Sequence, residues 1–163
     1  MDAAQPDLAE KTPDVVALRA SQAPTIDGVL EDECWGRVAV KHVGVMSGWT
    51  YARREKLAPQ QRVGLVCYDD DYLYIAMQAF TPDVFELKSG TAGRVWTGDC
   101  LEIHIKTADG EYLQWGIDIF GQQALGGTST LHVERSRVPG DASFGENYWV
   151  AEVAIPWDVL KVS

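Results

Sequence analysis

An all-β sandwich of two antiparallel sheets, jelly-roll-like and with one or two short helical turns, is the fold this sequence predicts. Three observations carry the prediction. Apolar residues alternate with period two in segment after segment from residue 61 onward, as they do in strands with one face on a core. Short turns containing Asp or Gly separate the segments, and such turns join antiparallel neighbours. At least six such strands stand against little helix, and the packing solution for that balance is sheet on sheet.

The chain has 163 residues, one domain's worth, and can bury a core without disulfides or metals. Residues 1–13 are polar, contain Pro6 and Pro13, and read as a flexible N-terminal arm. Residues 14–163 then form the sandwich. A short apolar run, Val15 to Leu18, precedes Asp27-Gly28, a turn signal. Glu31-Asp32-Glu33-Cys34-Trp35 reads as one helical turn, its early acids suited to the positive end of the helix dipole.

Two hairpins follow. Val63, Leu65 and Cys67 alternate along one half-buried strand and Leu73, Ile75 and Met77 along the next. Asp69-Asp70-Asp71 joins them, and Asp tolerates the left-handed backbone of a tight loop. In the second hairpin Leu101, Ile103 and Ile105 face Leu113, Trp115 and Ile117. Core must oppose core, because a one-residue slip turns every side chain over. Ile105 therefore pairs with Leu113, Ile103 with Trp115 and Leu101 with Ile117. The connection is Ala108-Asp109-Gly110, with glycine where such a loop turns left-handed. By the same arithmetic the opposite face sets His104 against Gln114, Glu102 against Gly116, and Cys100 against Asp118. A glycine inside a strand often marks a close approach to the backbone. Further strands are expected over Leu131 to Arg135 and Tyr148 to Ile155, with a short helix starting near Pro156.

Charge excludes some partners. The formal net charge is -10, from 24 acids and 14 bases, a field that repels nucleic-acid phosphates and anionic membranes. Neutral sugars and calcium are compatible with it. No stretch reaches the roughly 18 apolar residues of a membrane helix, so no membrane insertion is expected. The N-terminus shows no signal-peptide pattern. The three cysteines, Cys34, Cys67 and Cys100, match no metal or redox spacing. They read as buried thiols, or as one bridge with a thiol left over.

Four segments, in order, resemble family 9 carbohydrate-binding modules. Pro24-Thr25-Ile26-Asp27-Gly28 through Trp35 is similar to that family's opening motif. Val66-Cys67-Tyr68-Asp69-Asp70-Asp71-Tyr72-Leu73-Tyr74-Ile75 is similar to its Tyr-Asp-Asp hairpin. Val95-Trp96-Thr97-Gly98-Asp99-Cys100-Leu101-Glu102-Ile103 and Val150 through Trp157 are similar to its third and fourth signatures. The resemblance implies a non-catalytic β-sandwich module that binds oligo- or polysaccharide such as xylan. It also implies an extracellular or periplasmic setting, a covalently linked glycoside hydrolase domain, no required cofactor, and calcium only as a structural ion. Carried over by position, the family's sugar-stacking tryptophan falls on Trp96 and its ligand-contacting glutamate on Glu102. Its arginine on the paired strand falls on Gly116, where the pattern fails; Asp118 is the next polar position on that face. The family's second stacking aromatic, beyond the fourth motif, has no counterpart before Ser163. The module is therefore expected to be truncated at its C-terminus, lacking a strand and leaving an exposed edge beyond Leu160.

The residues support these roles on their own terms. Trp96 sits among Arg94, Thr97, Gly98 and Asp99, a polar setting in which an exposed indole suits a sugar ring; the alternative is a tryptophan folded over the sandwich edge. Glu102 can accept hydroxyl hydrogen bonds, or serve as a solubilising strand acid. Gln114 and His104 are candidate contacts on the same face, or simply cross-strand partners. Asp99 reads as a structural loop residue. Trp35, Trp115 and Trp157 read as core. Asp69 to Asp71 reads as a plain turn, with a calcium ion as the alternative. No nucleophile elbow, phosphate loop or paired metal-binding histidines occur, so an enzyme is not expected. A haem b-binding electron-transfer domain on a related sandwich is the competing reading. Met46, Met77, His104 and His132 are its candidate axial ligands, although Met77 falls on the core face and His104 on the opposite one.

Overall fold

The computed structural model describes residues 15–51, 56–82, 86–91, 94–107, 109–125, 132–138 and 147–161. The expected N-terminal arm, Ala108 and Leu131 lie outside them. Nine strands are present among the described residues: β1 (Leu18–Arg19), β2 (Val45–Met46), β3 (Arg62–Tyr68), β4 (Tyr72–Thr81), β5 (Cys100–Lys106), β6 (Tyr112–Asp118), β7 (Gln123–Leu125), β8 (His132–Val138) and β9 (Asn147–Pro156). A helix, α1 (Glu33–Lys41), lies between β1 and β2, and a 3-10 turn spans Val95–Thr97. Six strands form the larger sheet in the order β1-β3-β4-β9-β8, with β2 also on β3; β5-β6-β7 form the smaller one. Every pairing is antiparallel except β1 with β3, which is parallel.

Both predicted hairpins form, and the second has the predicted register. The first turns one residue later than its expected Asp69–Asp71 loop: Tyr68 pairs with Leu73, Cys67 with Tyr74 and Leu65 with Ala76, so Leu65 and Cys67 lie on one face of the sheet and Leu73, Ile75 and Met77 on the other. Asp69 shapes the first turn: its Oδ1 accepts the amides of Asp71 at 2.8 Å and Tyr72 at 2.9 Å, and its Oδ2 accepts the Tyr74 hydroxyl at 2.6 Å. Asp70 pairs with Arg19 at 2.6 Å. In the second hairpin Leu101 faces Ile117, Ile103 faces Trp115 and Ile105 faces Leu113. Its loop closes through the Thr107 amide on the Glu111 carbonyl at 2.9 Å, with Gly110 at φ +91°.

The main core lies between the sheets. Met77, Ala79, Trp149, Ala151, Val153 and Ile155 of the larger sheet meet Leu101, Ile103, Leu113, Trp115 and Ile117 of the smaller. Each large side chain so removed from water contributes roughly 1.5–3 kcal/mol. The larger sheet carries a second apolar layer on its other face, where Trp35, Cys34 and Val38 of α1 pack on Leu65, Cys67, Tyr74 and Ala76. The expectation that β3 is half-buried is corrected here: Gly64–Leu65–Val66–Cys67 is a continuous run of buried positions. A strand covered on both faces reads as an unbroken apolar run, and α1 is the second cover.

Two further corrections concern helix. Where one turn was expected at Glu31–Trp35, α1 runs for nine residues, because Cys34, Trp35 and Val38 place an apolar stripe on the sheet side. It ends at His42, which adopts the left-handed conformation at φ 52°, a common helix stop. After Pro156 the chain forms successive turns, not a helix. Trp157 and Val159 pack against the main core and Leu160 is buried. Lys161 Nζ then grips Asp109 at 2.8 Å and also Glu111, fastening this end to the β5–β6 loop. Among the described residues β5 pairs only with β6 and β8 only with β9.

The first and fourth sequence motifs meet at one buried acid. Glu152, fully buried on the α1 face of β9, accepts the amides of Asp27 at 3.1 Å and Gly28 at 2.6 Å and the Trp35 indole N–H at 2.7 Å. Burial raises its pKa against the pull of these three donors.

Candidate carbohydrate-binding face

Strands β5 and β6 turn Leu101, Ile103, Leu113, Trp115 and Ile117 inward. Their alternate residues, Cys100, Glu102, His104 and Lys106 on β5 and Tyr112, Gln114, Gly116 and Asp118 on β6, share the outer face. The structure gathers three of the predicted site residues here. Glu102 Oε2 accepts the Gln114 side-chain amide at 2.9 Å and pairs with His104 Nε2 at 3.1 Å. A carboxylate can only accept, so His104 Nε2–H donates to it, while Nδ1 lies in hydrogen-bond contact with the Tyr112 hydroxyl. The His104 and Tyr112 rings stand 5.7 Å apart. Glu102 Oε1 has the Cys100 thiol at 4.0 Å. The Glu102 side chain is 31% exposed and that of His104 42%. The acid is therefore held in one orientation while remaining open to solvent. Burial, then the charges of Glu102, Asp99 and Asp118, push the Cys100 thiol up.

Trp96 reaches this face by a local device. A Cβ at Gly116 would lie 2.4 Å from the Val95 Cγ2 methyl, so the absence of a side chain lets the 3-10 turn settle onto β6. The close approach expected at Gly116 is thus made by Val95, which is fully buried, while the adjoining Trp96 stays 48% exposed. The turn is tied by Thr97, whose hydroxyl accepts the Thr91 amide at 3.0 Å and donates to the Arg94 carbonyl at 2.8 Å. Asp99 braces it from behind, accepting the Lys88 amide at 2.8 Å and donating its own amide to the Lys88 carbonyl at 2.8 Å. Gly98 fits there because a Cβ would fall 2.4 Å from the Gly90 nitrogen.

Asp118 is the exception among the predicted contacts. Its strand parity points outward, yet it is fully buried. Its Oδ1 accepts the amides of Phe120 and Gln122, both at 2.9 Å, and its Oδ2 accepts the Ser89 hydroxyl at 2.6 Å. Strand parity says nothing of a loop folding back over the strand end, and here two loops do so. Asp118 is a turn-forming acid with both oxygens engaged by the protein.

Two residues on this face escaped the sequence reading. Tyr112, 60% exposed, sits one further outward position from Gln114, and extending the same register would have found it. Val95 gave no signal beyond its apolar character. Next to Cys100, a cavity of about 240 Å³ opens between the sheets, lined by Arg62, Phe80, Asp99 and Trp149 among others.

For the haem reading, Met46 and Met77 flank Gly64 on the inner face of the larger sheet, in line across three strands. His104 stands on the outer face of the smaller sheet, so the methionines and this histidine face no common site; the His132 side chain lies outside the described residues. No group of three or more His, Cys, Asp or Glu side chains is arranged to hold a metal ion among the described residues. No described helix is long and apolar enough to cross a membrane.

No protein-family model matches the chain, and no curated protein does. Solved structures do. A family 9 carbohydrate-binding module from Caldicellulosiruptor kristjanssonii in complex with cellotriose superposes at TM-score 0.60 with 15% identity, covering 87% of this chain and 66% of that one. The structure of such a module from that organism in complex with glucose gives 0.59 and 15%, covering 88% and 68%. A Bacteroides uniformis protein proposed to bind carbohydrate gives 0.52 and 16%, covering 91% and 74%. This chain thus spans about two thirds of the first two. With both sheets and these superpositions in agreement, the chain has the β-sandwich fold seen in family 9 carbohydrate-binding modules.

Proposed function

We propose that this domain is a non-catalytic module that binds neutral oligo- or polysaccharide on the outer face of β5 and β6. Trp96 stacks on a sugar ring, whose C–H groups meet the electron-rich indole face. Glu102 accepts hydroxyl hydrogen bonds, with Gln114 and His104 setting its orientation. The observation that carries this reading is the state of Glu102: Oε2 is held by two side chains, and among the described residues Oε1 has only a thiol at 4.0 Å. A pre-oriented, half-open acceptor, paired across the strands with the glycine on which the turn of the exposed Trp96 rests, is what a polyhydroxylated ligand requires. The net charge of -10 favours a neutral ligand over an anionic one. The solved neighbours bound to cellotriose and glucose support the class of ligand.

Such a module works by proximity, raising the local substrate concentration for a linked glycoside hydrolase outside the cytoplasm. Calorimetric titration with cello- and xylo-oligosaccharides tests the reading. The expected result is saturable binding of one series, weakened by about 1–3 kcal/mol in Glu102→Gln, the worth of a hydrogen bond to a charged group. Equal affinity of the folded variant and the wild type for a bound sugar would remove Glu102 from the site.

A further inference from the structure

The structure assigns a second aromatic platform to the same face, Tyr112, and with it a ligand longer than one sugar ring; this inference rests on the proposed binding face. Val95 covers Gly116, so the Trp96 turn sits at that point of β6. Tyr112 lies four residues back along the same strand and on the same face. At about 3.3–3.4 Å per residue that is roughly 13 Å, more than one pyranose ring spans. Between the two ends lie Gln114 on β6 and, across from it, His104 on β5; Glu102 stands across from Gly116 and reaches back to both. The row is continuous in hydrogen bonds, from Tyr112 through His104 to Glu102 and Gln114.

Two properties mark Tyr112 as a platform. It is 60% exposed, more than Trp96, yet its hydroxyl is fixed by His104, which orders the ring. An ordered amphipathic ring gives contact area at little entropic cost. The polar groups run from Glu102 at the Gly116 end through Gln114 and His104 to Tyr112, so a chain lying along the strand would stack at both ends and hydrogen-bond along the way. This suits an unbranched, neutral oligosaccharide of three or more units bound along its length.

The test is a length series of cello- and xylo-oligosaccharides, from one unit to six, titrated calorimetrically into wild type, Tyr112→Ala, Tyr112→Phe and Trp96→Ala, with thermal melting as the folding control. The expected wild-type affinity climbs with length up to at least three units. Tyr112→Ala is expected to flatten that climb, losing roughly two- to tenfold on the longer chains, the effect of one aromatic contact, while leaving the shortest bound sugar within twofold. Tyr112→Phe, which keeps the ring, is expected to keep the climb. A folded Tyr112→Ala with unchanged length dependence would overturn the second platform while leaving the proposed function standing, provided Trp96→Ala still loses binding. Binding of none of these sugars by the wild type would overturn both.

Discussion

Two carboxylates are fully buried among the described residues, Asp118 and Glu152, and each is matched by three donors. Burying an ion without partners costs several kcal/mol, and a carboxylate accepting backbone amides recovers most of it. For Glu152 burial still dominates, and its pKa stands above its ordinary 4.5. A raised folded-state value means that this group's stabilising contribution is complete below about pH 4.5 and is lost as pH rises through the folded value. Glu152→Gln puts an N–H where one oxygen accepts a proton, leaving a buried donor unmatched. The expected loss is about 1–3 kcal/mol at pH 7 in urea unfolding, with the gap to wild type widening toward pH 4. A variant as stable as the wild type at both pH values would show that Glu152 does not hold the Asp27-Gly28 turn and Trp35 together. Nothing in the sequence distinguished Glu152 from an outward strand acid, because its partners lie 117 to 125 residues away. Asp118 was misread for another reason: strand parity does not show that the loops carrying Ser89, Phe120 and Gln122 fold back over the strand end.

At the scale of elements, the Val95–Thr97 turn and β6 are fitted through one missing side chain. Gly116→Val would place methyl groups where Val95 packs. Overpacking of this kind costs about 1–3 kcal/mol, and here it is expected to lift the turn and weaken sugar binding more than Glu102→Gln does. Native-like binding by a folded Gly116→Val would detach Trp96 from the strand. The three cysteines report on the helix side. Cys34 of α1 and Cys67 of β3 are both buried and their thiols contact one another; that contact and burial push Cys67 up strongly. Alkylation of native protein is therefore expected to stop at Cys100, with Cys34 and Cys67 reacting only on unfolding. Rapid labelling of all three would mean that α1 opens from the sheet. The strands themselves were legible, and in the β5–β6 hairpin the register too, because there period two and turn chemistry agree locally; in the β3–β4 hairpin, where both faces of β3 are apolar, they did not fix it. The length of α1 and the double burial of β3 were not, though the unbroken run Leu65-Val66-Cys67 was a sign of them.

Across the whole molecule, motifs far apart in sequence converge. The opening motif and the last strand join at Glu152, the Asp69 hairpin receives the Trp157 indole on its carbonyl at 3.0 Å, and Lys161 fastens the chain's end to the β5–β6 loop. The depressed carboxyl of Asp109, at about 2, reflects first its bond from Lys161. The smaller sheet is thereby fixed on the larger, and its outer face is left to Trp96, Glu102, Gln114, His104 and Tyr112. Four of these five were named from register and resemblance alone; Tyr112 needed only one further step along the strand. What the register could not supply was depth, since strand parity does not reveal which loops fold back over a face. Calorimetric titration of wild type and Trp96→Ala with the best-bound oligosaccharide, with melting temperatures taken in parallel, tests this account most directly. It predicts saturable wild-type binding that disappears in Trp96→Ala while the melting temperature stays within a few degrees, because a half-exposed side chain contributes about 0.5 kcal/mol or less to stability. A Trp96→Ala variant that remains folded and binds the sugar as the wild type does would contradict it.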